Sequence, residues 1–574
     1  MSLRHPVWCL VLLCFVLFVP GLFSRDLWAP DEPRYAEVAR EMYVTGQYVV
    51  PHLNGQLYKE KPPLFFALTG VLYHVFGGPS VFAGRLVSAL AGLGVALLTY
   101  ELGRRWSNRA VGLAGGAMVA TAGHFAALAQ AGVLDVPLSF FVLLAVYAFY
   151  RGTVGESAGG RAGWRALACL AMVLGVMVKG PVGAALPLLV CIAMAVLLRR
   201  WSPVAYGLIG FAIAVAVAAG WVYAVSLQGE GGGTYLHATL VDQSIDRITG
   251  TGQHGAHEQP WHYYFKAFPP DFMPWTMVLP VALGLAIRHW RDRELRAVRF
   301  YVLWFALVFI FFSCIGGKRE RYLMPVFPGV ALLCGELFFG ELRSRALNWR
   351  WIGVPAIVWS VVIGALALVG IAFPFLASHV VGLVNERQRL GAADFIDAMT
   401  PGRQAGVVLF AVGIVAIQVW GVWRLRAQSR RFLLTAILSM VMGLVAVNAF
   451  IYPAFNMTKS ARPLSEAYLA AERPGDRLML FDEDFNGAYN FYLGRNHIPI
   501  VKLGEPLPYP TGQGDRLVLI ANIDEFAELS DAERGLFTTL YESQVGHKHT
   551  LLVAASQAPS APRLTPSVPT PPQQ

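Results

Sequence analysis

The chain has 574 residues, is 56% hydrophobic and carries only 14% charged residues, with a mean hydropathy of +0.50. Soluble domains carry about 25% charged residues, so a soluble globular protein is excluded and an integral membrane protein is indicated. The net charge of +10 falls in short clusters between apolar runs, the pattern of loops retained on the untranslocated side, and nucleic acid is set aside as a partner.

The N-terminal stretch MSLRHPVWCLVLLCFVLFVPGLFSRD places Arg4 ahead of an apolar core but has no small-x-small cleavage site, so it reads as a retained first membrane helix. With about 20 mostly apolar residues needed per span, about thirteen candidates follow: 7–23, 80–103, 109–126, 131–150, 163–179, 181–198, 203–226, 272–287, 298–314, 322–340, 352–375, 405–423 and 432–452. An inner N-terminus collects the arginine clusters around 104–109, 151–165, 199–200, 288–296, 343–350 and 424–431 on one face, as the positive-inside bias requires. The C-terminus is then outside. All six cysteines lie in apolar spans without CxxC spacing and read as small buried hydrophobes, not a disulfide framework or a thiolate site.

The outer segments are the ones with mixed chemistry. The first loop (24–79) holds DEPRYAEVAREM and YKEKPP. In the first motif, Pro33 suits an opening helical turn and Asp31 or Glu32 its cap, while AEVAREM is amphipathic and is expected to lie along the membrane surface. Glu37, Arg40 and Glu41 read as i,i+3 and i,i+4 support; Asp31 and Arg34, three apart, face one pocket. The second motif adds Tyr58, Lys59, Glu60 and Lys61 ahead of a proline pair. Asp135 opens the fourth span, where an unpaired acid is costly and functional use is favoured, although pairing with Arg34 or Lys61 also satisfies it. Lys179 in VMVKGPVG stands equally well as a site residue or as an interfacial cation.

The long outer loop (227–271) contains HGAHEQPWHYY, with His254, His257 and His262 as neighbours, and Trp261, Tyr263, Tyr264, Phe272 and Trp275 fit an interfacial aromatic belt. GGKRERY (316–322) sets cations on the outer face against the positive-inside bias. After residue 452 the composition becomes that of a soluble domain, with strands expected at 477–481, 516–522 and 550–555 and helical spacing at 465–472 and 523–535. This gives a transmembrane domain (1–452), an outer α/β domain (453–556) and a Pro-, Ser- and Gln-rich disordered tail (557–574). Asp482, Glu483 and Asp484 read as a solvated acidic patch.

DEPRYAEVAREM followed by KEKPPL, together with the KxxxYLxP motif of KRERYLMP, resembles the bacterial aminoarabinose transferases of lipid A and the wider polyprenyl-phosphate-sugar transferases that include protein O-mannosyltransferases. The resemblance implies a mainly α, polytopic GT-C fold with a small C-terminal α/β extracytoplasmic domain in the bacterial inner membrane. It implies an inverting glycosyltransferase that takes a sugar from an undecaprenyl-phosphate carrier, with lipid A first among acceptors and protein or polysaccharide as the alternative. By the same resemblance Asp31 and Asp135 are the catalytic acids, and Arg34, Lys61 and Tyr322 hold the donor phosphate with Lys318 and Arg321 as helpers. Tyr35, Tyr58 and Lys179 complete the pocket, and Glu60 with His257 would hold a divalent metal, zinc by donor type. A flippase or transporter of lipid-linked sugars is disfavoured, because ionisable residues sit in outer loops and at span ends rather than along a path through the spans.

Overall fold

The computed structural model describes residues 5–155, 157–227, 258–345, 350–383, 386–423, 430–481, 487–509 and 515–556. The N-terminal half contains Pro6–Phe23 (α1), Asp31–Thr45 (α2), Leu64–Phe76 (α3), Val81–Trp106 (α4), Arg109–Thr121 (α5), Gly123–Ala129 (α6), Asp135–Val154 (α7), Ala158–Lys179 (α8), Val182–Leu198 (α9) and Ser202–Ser226 (α10). Among the described residues, ten helices are long and apolar enough to cross a membrane, and two bent pairs bring the number to as many as twelve.

The bent pairs correct two expected spans. Where 109–126 read as one helix, α5 and α6 meet at 69°, and 272–287 is the second arm of a pair, Tyr263–Asp271 and Trp275–Arg288, bent by 120°. The breaks face each other. Gly123 N–H donates to the Met273 carbonyl at 2.9 Å, and Trp275 Nε1–H donates to Thr121 Oγ1 at 3.2 Å. Each break thus satisfies polar groups that the other frees, which an apolar environment requires.

Contacts between distant segments fix the number of crossings as odd. The loop after α1 touches the C-terminal region directly: Trp28 bridges Ser460, and Leu27 N–H donates to Tyr492 Oη at 2.8 Å. Both therefore lie on one side, so the crossings after α1 are even in number. α9 is apolar, 17 residues long and roughly 25 Å in extent; added to the upper number of twelve among the described residues, it would give the thirteen spans expected from the sequence. On the other side, Ser107 Oγ meets Tyr301 Oη at 3.2 Å and also donates to Glu336, while Arg345 pairs with Asp292 at 3.1 Å. The arginine-rich loops are gathered there.

The C-terminal region is a five-stranded sheet. Its strands are Asp476–Phe481 (β3), Ile500–Val501 (β4), Arg516–Asn522 (β5), Thr538–Val545 (β6) and Lys548–Ala555 (β7), after a small hairpin of His52–Leu53 (β1) and Gln56–Leu57 (β2) in the first loop. The order is β4-β3-β5-β7-β6, with β3 parallel to β4 and β5, and β7 antiparallel to both β5 and β6. β5 is buried on both faces: Leu517 and Leu519 pack with Phe481 and Val553, while Val518 and Ile520 pack with Leu480 and Leu552. The three expected strands form. β4 and β6 were not anticipated, because TTLYESQV is too polar to show a buried face. The helix expected at 465–472 spans Arg462–Ala471, and 523–535 resolves into two single turns, Ile523–Phe526 and Asp531–Arg534. The acidic patch at 482–484 and the tail lie outside the described residues.

The charged residues of α2 do not form an exposed face. Glu37, Arg40 and Glu41 are all nearly fully buried, because the C-terminal region covers the helix. Arg40 forks onto Glu37 at 2.7 and 2.8 Å, as i,i+3 support, and also donates to Asn496 Oδ1 at 2.8 Å. Asn54, in the β1–β2 turn, is the main tie between the regions. Its amide donates to the Ile498 carbonyl at 3.0 Å and accepts from Ile498 N–H at 2.7 Å and Asn490 Nδ2 at 2.9 Å. Its φ of 58° is one that asparagine tolerates better than most residues. Asn54→Ala loses these bonds and is expected to destabilise the docking by about 2 kcal/mol, seen as faster proteolysis between residues 460 and 500 in the folded protein. Unchanged cleavage rates would remove Asn54 as the tie.

Candidate active site at the mouth of the spans

The first loop, the start of α7, the end of α8 and the 315–322 turn converge on one cleft of about 40 Å³, lined by Asp31, Arg34, Tyr35, Glu60, Lys61, Asp135, Lys179, Arg319, Arg321 and Tyr322. Asp31 stands at the N-terminus of α2, but it is not the cap. Pro30 takes that position without a side-chain bond, and Asp31 and Glu32 occupy the first helical turn. Their carboxylates are thereby free for longer-range partners.

Asp31 accepts from Arg321, with Arg319 Nη1 at 3.4 Å. Burial alone would raise its pKa, but Arg321, Arg319 and Arg34 outweigh that and hold the carboxyl below its ordinary value. Arg321 also reaches towards Asp135 Oδ2 at 3.9 Å, and Asp135 pairs with Lys179. Asp135 is therefore satisfied by Lys179 and Arg321, not by Arg34 or Lys61. Lys179 lies 4.7 Å from the Tyr322 ring centroid, a cation–π distance, so it does not simply reach for the interface.

The KEK segment forms the opposite wall. Arg34 Nη1 bonds both Glu60 oxygens at 3.0 Å, Tyr58 Oη lies 3.4 Å from Glu60 Oε2, and Lys61 Nζ donates to the Glu60 carbonyl at 3.1 Å. Burial raises the Tyr35 and Tyr58 phenols well above their ordinary pKa, so both remain neutral hydrogen-bonding groups.

Lys318 is not in this cleft. It is 4% exposed, donates to the carbonyls of Gln259 (2.8 Å) and Ile315, and has its pKa lowered by burial. Its ammonium ties the 258–260 segment to the turn, beside the Glu258–Gly317 bridge. The cation that takes its place at the cleft is Arg319, which had not been singled out. The signal was present, since every cation of GGKRERY departs from the positive-inside bias and only the fold could divide them. Arg85 was missed as well. It is fully buried in α4 and forks onto Glu32 at 2.7 and 3.0 Å; an ionisable residue inside an apolar span is itself a signal.

The aromatic residues divide similarly. Trp261 is 67% exposed, as an interfacial belt requires, but Tyr264, Phe272 and Trp275 are fully buried because the bend between Tyr263–Asp271 and Trp275–Arg288 turns them into the core. His254 and His257 lie outside the described residues, and His262 is exposed at the start of the first arm. Among the described residues no cluster of three or more metal-ligating side chains occurs. As it stands the Glu60 carboxylate does not fit a metal, since the Arg34 guanidinium occupies both oxygens.

Residues 7–229 match the model of the dolichyl-phosphate-mannose-protein mannosyltransferase family, and residues 247–399 match that of the Alg9-like mannosyltransferase family. The fold superimposes on the crystal structure of ArnT from Cupriavidus metallidurans bound to undecaprenyl phosphate with a TM-score of 0.72, covering 96% of this chain and 98% of that one at 21% identity. The chain thus shares the fold of that protein. Among curated proteins similar to this chain, an undecaprenyl phosphate-alpha-4-amino-4-deoxy-L-arabinose arabinosyl transferase of Pseudomonas fluorescens is 31% identical over 63% of this chain and 62% of its own length. The enzyme of that description from Pseudomonas paraeruginosa is 33% identical over 59% of this chain and 61% of its own length. The matched stretch thus spans about three fifths of these relatives.

Proposed function

We propose that the protein is an inverting glycosyltransferase that moves a sugar, aminoarabinose first, from an undecaprenyl-phosphate carrier to lipid A on the outer face of the bacterial inner membrane. The carrying observation is the charge of the cleft. Arg34, Lys61, Lys179, Arg319 and Arg321 line it together with Asp31, Glu60 and Asp135, five cations to three acids among the described lining residues, where a departing phosphate gathers two negative charges. Fixed cations stabilise that leaving group more as its charge grows, and arginine offers it a two-point fork. The cleft is little larger than a water's share of the liquid, roughly 30 Å³, so donor entry must part the Asp31–Arg321 contact. Opening it exchanges a carboxylate for a phosphate on Arg321 and frees Asp31 towards the acceptor. On an acceptor hydroxyl Asp31 acts as base; on an acceptor phosphate, already anionic, it orients the group and stabilises positive charge on the sugar ring.

The names of the relatives support this reading, as does the crystal structure that shares the fold. The positive-inside bias orients the arginine-rich face, and with it the N-terminus, towards the cytoplasm and the C-terminal region towards the periplasm. Zinc held by Glu60 and His257 stays a subordinate part of the proposal; it requires Arg34 to leave Glu60, and equal zinc content in purified wild type and Glu60→Ala removes it. Mass spectrometry of lipids from cells with and without the gene tests the whole. Loss of an aminoarabinose-sized increment on lipid A is expected. Unchanged lipid A with an altered glycoprotein or polysaccharide would establish the alternative acceptor, and no change in any glycoconjugate would count against transfer itself.

A further inference from the structure

On the face opposite the Asp31 cleft, a second cavity of about 380 Å³ opens between four elements. Arg105 and Trp106 line it from the end of α4, Tyr150 and Val154 from the end of α7, Leu198 and Arg200 from the α9–α10 turn, and Arg296 and Ala297 from the start of the next span but two. The positive-inside bias explains why arginines occur on this side. It does not explain why three from separate loops enclose one space with no acid among the described residues that line it.

Each guanidinium is positioned. Arg105 Nε bonds Glu101 Oε1 at 2.8 Å, Arg200 Nη1 donates to the Thr153 carbonyl at 3.1 Å, and the Arg296 guanidinium carbon lies 5.9 Å from the Trp106 ring centroid. Trp106 is itself stacked on Phe300 at 4.4 Å and packed on Tyr150 at 5.2 Å, so the wall is rigid. Glu101, beside it, is shared by Arg104 at 2.7 Å, Arg105 and the Tyr147 hydroxyl, so one carboxylate serves two arginines. Beside the cavity, Trp201 is 66% exposed and Val154 41% exposed. A tryptophan there sits at headgroup depth, and apolar side chains at the mouth face acyl chains.

We propose that this cavity binds the phosphate-bearing headgroup of an anionic membrane lipid. Arginines among aromatic rings at the inner ends of spans hold a phosphodiester by charge-assisted bonds, while the acyl chains remain in the bilayer beside Val154. The proposal is independent of the sugar-transfer reading, because none of its residues belongs to the Asp31 cleft.

Native mass spectrometry of the full-length protein in detergent tests it, with phosphatidylglycerol and phosphatidylcholine added as probes. The wild type is expected to retain phosphatidylglycerol in preference, and Arg200→Ala/Arg296→Ala to retain it roughly tenfold less well. Arg291→Ala/Arg293→Ala, which removes equal charge from the same face outside the cavity, should behave as wild type. Both double variants should keep a wild-type elution profile and thermal midpoint, showing that they fold. Equal retention by wild type and R200A/R296A would overturn the site, and so would equal loss in both double variants, which would mean surface charge alone. Displacement of the lipid by millimolar inorganic phosphate, with stabilisation of the lipid-free protein, would overturn the lipid assignment in favour of a soluble phosphate ester.

Discussion

Asp31→Asn is expected to lower transfer by roughly a hundredfold to ten-thousandfold while the protein still inserts and folds. The substitution keeps the shape of the side chain and removes its charge, so Arg321 and Arg319 lose the anion that holds them side by side. Lys61→Ala removes a cation from the opposite wall and should also abolish transfer, but without disturbing the two arginines. Full activity in both variants would dismiss the cleft. The pH dependence separates the two roles open to Asp31. Its pKa lies below the ordinary carboxylate range because Arg321, Arg319 and Arg34 stand beside it, so the carboxylate is ionised throughout pH 5–8 and wild-type activity should show no acid limb from this group in that window. The stability it contributes is present above its unfolded pKa of about 3.9 and is lost only as pH falls through the lower folded value. If Asp31 is a base, the residual rate of Asp31→Asn should rise about tenfold per pH unit as hydroxide takes its place. If it orients groups, the defect should be the same at pH 6 and pH 8.

Which parts of this site were legible depends on the range of the interaction. The Asp31/Arg34 spacing and the charged KEK segment could be read locally, and the structure joins them through the Arg34–Glu60 pair. Asp135 and Lys179 were legible as costly charges at span ends, but their partnership was not, because 44 residues and a helical hairpin separate them. The KRER turn was recognisable as misplaced charge. Adjacent positions in it nonetheless diverge, Lys318 under carbonyls and Arg319 towards Asp31, and that division depends on a backbone path that composition does not encode. The break at Ala122 was invisible for a different reason: both arms are apolar and no proline marks it. The burial of Glu37, Arg40 and Glu41 was missed because what covers them, the segment around Asn496, lies more than 400 residues away.

Arg85→Ala is expected to be the most destabilising single change considered, by about 3–5 kcal/mol, measured as unfolding of the purified protein in detergent. The guanidinium is fully buried. Besides Glu32 it donates to the carbonyls of Leu22 (3.3 Å), Arg25 (2.6 Å) and Asp26 (2.8 Å), so it caps the end of α1 and fixes the turn that presents Asp31. Removing it leaves the Glu32 charge buried with only Arg25 at 3.9 Å and the Gly132 N–H at 2.9 Å. Burial would raise the pKa of Glu32, but Arg85, Arg25 and Gly132 bring it down to about 2. A carboxylate depressed in this way contributes stability above its unfolded pKa, near 4.3, and loses it as pH falls towards 2; the shift corresponds to about 3 kcal/mol. Without Arg85 the balance reverses, and Glu32 escapes its buried charge by taking a proton. The gap between wild type and Arg85→Ala should therefore be widest near pH 7.5 and narrow towards pH 4.5. A constant gap would assign the loss to the three carbonyls instead of to Glu32, and Glu32→Gln, which keeps the volume and removes the charge, should then leave the Arg85→Ala defect unchanged when the two are combined. If the buried charge is the cause, the double variant is more stable than Arg85→Ala alone, because a neutral amide leaves no uncompensated ion between α1 and α4.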